Sequence, residues 1–264
     1  MRAVSLLSRR FIFILCAAWC LTPLQGWAAT AEQNLYFIAV NTTRPPLNIR
    51  EVRHALGMSI DREGLARLLR LKDASPAYAM VPPGLYGDSP HGNSPYMPLR
   101  GEMRAAIAEV LLGERAIDPA HPVTVMFIYP QGGIHAAVVK SFADVVIKFG
   151  VRVKPLEKSP ADYAQSLRDG DFDLAIGAWT EPGKSPADYL RPFTQGSDPR
   201  NIARYAEPDF EQRFLEAEAE VDPMRRMIIL ADAENVLIQD QPILPVFFFA
   251  PTSAAGQGLS VLQP

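Results

Sequence analysis

The sequence predicts an α/β fold, with a mixed, mainly parallel sheet flanked by helices. Three observations predict it. Between Pro122 and Trp179, three short apolar runs alternate with two segments of helical period, the pattern of a βαβαβ unit. Apolar runs also stand before and after this unit, at Leu35 to Val40 and Ile243 to Ala250. The chain has 264 residues, 48% of them hydrophobic and 21% charged, a balance that supports a sizeable core.

Within the unit, Val123 to Tyr129 is rich in β-branched and aromatic residues and closed by Pro130, which favours a buried strand. Gly132 and Gly133 loosen the turn after it. Ile134, Val138, Phe142, Val145 and Phe149 then recur at i+3 and i+4, giving one apolar helix face that Gly150 ends. Val151 to Leu156 alternates apolar with basic residues, so one side of that strand faces water. Ser159 caps the second helix with Pro160 at its first position, Tyr163 and Leu167 mark its buried side, and Gly170 ends it. Phe172 to Trp179 is the third strand.

Elsewhere, residues 49–71 carry helical spacing, with Asp61 capping a second helix inside that stretch. Lys72 to Pro98 reads as one long loop, a length that implies a function or packing by its own side chains. Leu99 to Leu112 is a helix, Pro186 to Phe193 a short helical turn, and Pro208 to Glu220 and Pro223 to Asp240 two further helices. No repeat or change of composition divides residues 32–264, which are read as one domain.

Residues 1–31 read as an export signal. Arg2, Arg9 and Arg10 precede an apolar run, Phe11 to Leu21, too short to span a bilayer comfortably, and Ala29-Thr30-Ala31 is a small-x-small cleavage site. Both cysteines, Cys16 and Cys20, leave with this segment. The remainder then has no disulfide or thiol nucleophile. Removing three arginines and no acid takes the net charge from −3 to −6. That balance argues against nucleic acid and against anionic lipid as partners. A cysteine-free exported chain fits the periplasm.

No catalytic constellation is visible: there is no G-x-S-x-G, phosphate loop or metal-type histidine spacing, so no cofactor or metal is expected. Asp169, Asp171 and Asp173 lack the spacing of a calcium loop and read as a solvated turn. His135 and Trp179 stand out by position. Each follows a strand of the parallel unit at its carboxyl end, where α/β folds bind ligands. A histidine there is as readily structural as functional, and the tryptophan stacks on a ligand or plugs the core.

Five blocks in order carry a resemblance. They are Tyr36 to Asn48 with its Asn41-Thr42-Thr43 loop; Val52-Arg53-His54-Ala55-Leu56 with Ser59-Ile60-Asp61-Arg62-Glu63; Val81-Pro82-Pro83-Gly84; Phe172-Asp173-Leu174 with Trp179; and Asp240 to Phe249. Together these blocks, over residues 35 to 258, resemble the solute-binding protein family of periplasmic oligopeptide- and dipeptide-binding proteins of ABC importers. The resemblance implies a lobe of the periplasmic-binding-protein type, corresponding to the C-terminal of two lobes. It implies a small solute or short peptide as ligand and an inner-membrane ABC permease as partner. It also implies a ligand surface of Tyr129, His135, Trp179, Thr180 and Glu181, with residues 76–84 as a rim. Where peptide-binding members have an aspartate three residues after the strand tryptophan, this chain has Pro182, which cannot pair with a ligand amine. Half of the clamp is expected to be missing, so the alternative is an interaction protein that dimerises or pairs with a separate N-terminal lobe.

Overall fold

A computed structural model describes residues 33–71, 74–82, 84–87, 99–180, 183–194 and 198–250. The segment read as an export signal and the tail after residue 250 lie outside the described residues. Six strands form one sheet in the order β2-β6-β1-β5-β3-β4. Strand β1 (Asn34–Val40) is central and buried along its whole length. That burial on both faces is why it reads as a continuous apolar run rather than an alternating one.

The βαβαβ unit forms as the sequence predicts. Strand β3 (Val123–Pro130) leads through α4 (His135–Val146) to β4 (Val151–Lys158), then through α5 (Pro160–Asp169) to β5 (Leu174–Trp179). Both β4 and β5 pair parallel with β3. The first crossover runs outward to β4 and the second returns past β3 to β5. Right-handed crossovers therefore put α4 and α5 on opposite faces. Four of the six strands run one way, but β1 runs against its neighbours. Its pairings with β5 and β6 (Ile243–Phe249) are antiparallel, as is that of β2 (Ala74–Pro76) with β6.

Ser159 caps α5, accepting from the Asp162 amide at 3.2 Å, and Gly170 ends it in the left-handed conformation. In α4 the buried face is Val138, Val139, Phe142 and Val146, with Val145 only half-buried. Of the predicted stripe, Val138 and Phe142 are buried and Ile134, Val145 and Phe149 half-buried, and the helix ends in a 3₁₀ turn, Ile147–Phe149. Strand β5 starts at Leu174 rather than Phe172. Just before it, the Asp173 carboxylate accepts from the Met126 amide at 2.7 Å and pairs with Arg44 at 3.3 Å, and Asp171 pairs with the same arginine. The aspartate run is thus an anchor and not merely a solvated turn.

Helices α1 (Arg50–Met58) and α2 (Arg62–Leu68) form the expected pair, with Asp61 accepting from the Gly64 amide at 2.9 Å. Helix α3 (Gly101–Gly113), the short α6 (Pro186–Leu190), α7 (Pro208–Ala219) and α8 (Pro223–Asp240) complete the set.

The described parts of the predicted loop, residues 74–82 and 84–87, are more structured than their prolines suggest. They contribute β2, a three-residue edge strand too short to show periodicity. The strap after it is tied to α8. Glu234, 1% exposed, accepts from the amides of Met80 and Val81 at 3.0 and 2.8 Å, and the Tyr86 hydroxyl donates to the Leu230 carbonyl at 3.4 Å. Replacing Glu234 with alanine leaves two buried amides without acceptors. It is expected to cost about 2 kcal/mol and to release the strap before the sheet. Hydrogen exchange at Met80 and Val81 checks this. Unchanged protection at both amides would show that the carboxylate does not hold the strap.

Candidate functional site

The carboxyl ends of β3, β4 and β5 lie side by side at Pro130, Lys158 and Trp179. Because β1 is antiparallel to β5 and β6, its start and the end of β6 reach the same edge, with Leu35 opposite Trp179 and Asn34 opposite Phe249. This is the edge at which α/β sheets take up ligands.

Strand alternation divides the candidate residues between the two faces of the sheet. Tyr36 and Phe37 are neighbours on β1 and point to opposite sides. His135, opening α4, lies with Tyr36. The Tyr36 hydroxyl is 2.9 Å from Nδ1, and the rings lie nearly parallel, 5.8 Å apart. Tyr129 projects to that face from β3, in step with Phe127, whose ring meets Phe142 of α4. Trp179 lies on the other face, packed on Phe37 at 5.0 Å and Phe193 at 5.5 Å. Phe37 in turn covers Gly177, where a Cβ would come within 2.1 Å of the ring.

His135 is 1% exposed and Trp179 6%, so both rings are built into the core beneath the edge. For Trp179 this favours the core-plugging role of the two open readings. Tyr129 and Thr180 are half-buried, and Glu181 lies outside the described residues.

His135 has an unusual electrostatic state. Burial draws its pKa down to about 4 and pushes the Tyr36 hydroxyl well above its usual value, so both are neutral at pH 7. The direction of the Tyr36–His135 hydrogen bond sets which ring nitrogen carries the proton: Nε2 is protonated if Tyr36 donates and bare if Nδ1 does. That Nε2 is buried and has no hydrogen-bond partner.

A concavity of about 440 Å³ opens beside the end of β4, lined by Leu156, Glu157, Lys158, Ser159, Asp162, Gln165 and Ser166. Lys158 Nζ donates to Ser166 Oγ at 2.8 Å. Register pairs Lys158 with Pro130, which places its side chain on the face opposite Tyr129, the face that carries Trp179. The sequence reading missed this groove. Its signal was a lysine ending a parallel strand directly before a capped helix, but Lys158 belongs to an alternating basic strand and reads there as wet surface. A smaller groove of about 300 Å³ lies between α1, α3 and α8, where His54 is held by the Gln239 carbonyl. No group of three metal-ligating side chains occurs among the described residues.

The sequence pattern of the bacterial extracellular solute-binding proteins, family 5 Middle, matches residues 21–201. The chain belongs to this family. The match begins inside the segment read as an export signal, so residues 21–31 fall under both descriptions. Among curated family members, the chain is 26% identical to the periplasmic oligopeptide-binding protein OppA of Escherichia coli over 216 residues, 81% of this chain and 39% of that protein. It is 27% identical to the periplasmic murein peptide-binding protein MppA of Escherichia coli over 229 residues, 86% of this chain and 42% of that protein. The solved structure of the Escherichia coli murein tripeptide binding protein MppA superposes with a TM-score of 0.77 at 25% identity, over 83% of this chain and 43% of that one. The chain thus spans about two fifths of the length of these relatives. Both relatives are binding proteins, and the mixed α/β fold of the chain is theirs.

Proposed function

We propose that the chain is an exported binding protein, not an enzyme, which captures a peptide-like or other small solute in the periplasm and serves an ABC permease of the inner membrane. Family membership supports this reading, as do the peptide-binding relatives. The observation that carries it is His135 Nε2, a buried ring nitrogen left unpaired at the carboxyl edge of the parallel strands. A buried polar group without a partner costs about 1–3 kcal/mol, and a polar atom of a solute would remove that cost. Tyr129, His135, Trp179, Thr180 and Glu181 are this chain's share of the contact surface, with Tyr129 and Thr180 at the rim and the two buried rings behind them. Residues 1–31 are the export signal, and residues 32–264 form a single lobe.

The test is calorimetric titration of the chain with a pool of di- to pentapeptides, beside the His135→Gln variant. Gln keeps a polar group at the position without the imidazole geometry. Saturable heat that weakens in the variant is the expected result. Absence of heat in the parent chain at high protein concentration would sink the reading. Mass analysis of the periplasmic protein tests the export signal: a start at residue 32 is expected, and retention of residues 21–31 would overturn that boundary.

A further inference from the structure

Two residues that weaken a strand interior stand on either side of Phe37, in the middle of the sheet. Gly177 of β5 is its direct partner on one side, and Pro245 of β6 on the other. Pro245 has no amide to give the ladder, and prolines inside sheets are kept to edges and bulges. The register of β6 slips here, from Tyr36–Phe247 to Phe37–Pro245, and leaves Val246 without a partner on β1. Such bulges turn a strand and re-aim its side chains. This one lies between Tyr36, whose ring meets His135, and Phe37, whose ring meets Trp179.

Gly177 has a steric reason. A β-carbon there would stand 2.1 Å from Phe37 Cε2 and 2.4 Å from Cζ, so the ring occupies the space that any other side chain would need. The ring cannot swing clear of such a carbon without moving its neighbour. It is 1% exposed and closed in by the Trp179 indole, 5.0 Å away and tilted by 59°. Phe193 also meets the indole, at 5.5 Å.

We propose that Phe37, seated over Gly177, is a positioning residue of the candidate solute surface. It sets the place of the Trp179 indole and, through it, the turn that carries Thr180 past the end of β5. The proposal rests on the solute-binding reading above and adds two residues that no solute need touch. An aromatic ring laid across a glycine of the neighbouring strand also stabilises a sheet. If the ring served the sheet alone, its loss would lower stability and leave affinity unchanged. As a positioning residue it changes affinity, and only through Trp179.

The test is calorimetric titration with the same pool of di- to pentapeptides. The proteins are the full chain, Phe37→Leu, Gly177→Ala, Trp179→Leu, and Trp179→Leu combined with each of the first two. Circular dichroism establishes that each is folded. Phe172→Leu, which trims a buried ring just before the far end of β5, is the control for a loss of stability alone. Phe37→Leu and Gly177→Ala should each bind about tenfold more weakly, as for the loss of one aromatic pair. Phe172→Leu should bind as the parent does. With Trp179→Leu already present, neither substitution should weaken binding further, and a second tenfold loss would overturn the assignment. Should Gly177→Ala fail to fold, Phe37→Leu and its combination with Trp179→Leu decide alone. Unchanged affinity in Phe37→Leu, beside a parent chain that binds, would leave the solute-binding reading standing and make Phe37 a core residue only. Absence of saturable heat in the parent chain would overturn both.

Discussion

Arg62→Ala is expected to destabilise the chain by about 3–5 kcal/mol, among the largest losses a single substitution produces. Arg62 is 4% exposed and joins four segments. Its Nε donates to the carbonyls of Ala77 at 2.7 Å and Pro245 at 2.8 Å, and Nη1 donates to that of Gly57 at 3.0 Å. The guanidinium also lies over the Tyr78 ring, 4.7 Å from its centre. Burial lowers its pKa only to about 10, so it stays charged at neutral pH. Truncation would remove a buried donor from three carbonyls and open a gap between α1, α2, the strap and β6. Lysine keeps the charge but not the planar fork, so Arg62→Lys should recover only part of the loss. Urea unfolding of the parent chain and both variants measures this. A cost below about 1 kcal/mol for Arg62→Ala would mean that the four segments hold together without the arginine.

The second large effect is a loss of stability in mild acid that belongs to His135. Its imidazole titrates near 6.5 in the unfolded chain and near 4 in the fold, because burial disfavours the charged form. Between these values the unfolded chain binds the proton and the folded chain does not. Stability is therefore complete above about pH 6.5 and falls as the pH drops below it. The loss reaches its full extent near pH 4, where the folded imidazole also titrates. The displacement of about 2.5 pH units corresponds to about 3 kcal/mol. The neighbour that His135 touches, Tyr36, stays neutral throughout this range. Unfolding free energies of the parent chain and His135→Gln, compared between about pH 7 and pH 4, isolate the contribution. The variant should lose about 3 kcal/mol less over that window. Equal slopes would mean that the folded imidazole protonates as readily as the unfolded one.

Much of the fold is legible in the sequence because local rules and tertiary packing agree there. Ser159, Pro160 and Gly170 bracket α5 by chemistry that needs no distant partner. Asp61 likewise marks the start of α2, and the apolar runs at β1 and β6 announce strands covered on both faces. The misses have a common cause. Strand β2 exists only because β6 offers it a free edge, and three residues with a proline carry no period. The strap beyond it is ordered by Glu234, more than 150 residues later, which no local pattern connects to Met80 and Val81.

The candidate site divides in the same way. Position alone singles out His135 and Trp179, since strand ends at the carboxyl edge can be counted along the chain. Their side chains' company cannot be counted that way. Tyr36 and Phe37 are adjacent in sequence, yet strand alternation sends one to His135 and the other to Trp179, on opposite faces. Lys158 reads as a wet residue of an alternating strand until α5 folds back and sets Ser166 beside it. What the sequence by itself determined is the succession of strands and helices, their caps, and the sheet edge at which the candidate residues stand. Those features depend on interactions within a few residues and on the two periodicities of the backbone. What only the tertiary structure decided is which buried polar groups find partners and which do not. The unpaired His135 Nε2 lies on a ring that packs against Tyr36, 99 residues away in the chain, and burial turns its lack of a partner into a demand for one.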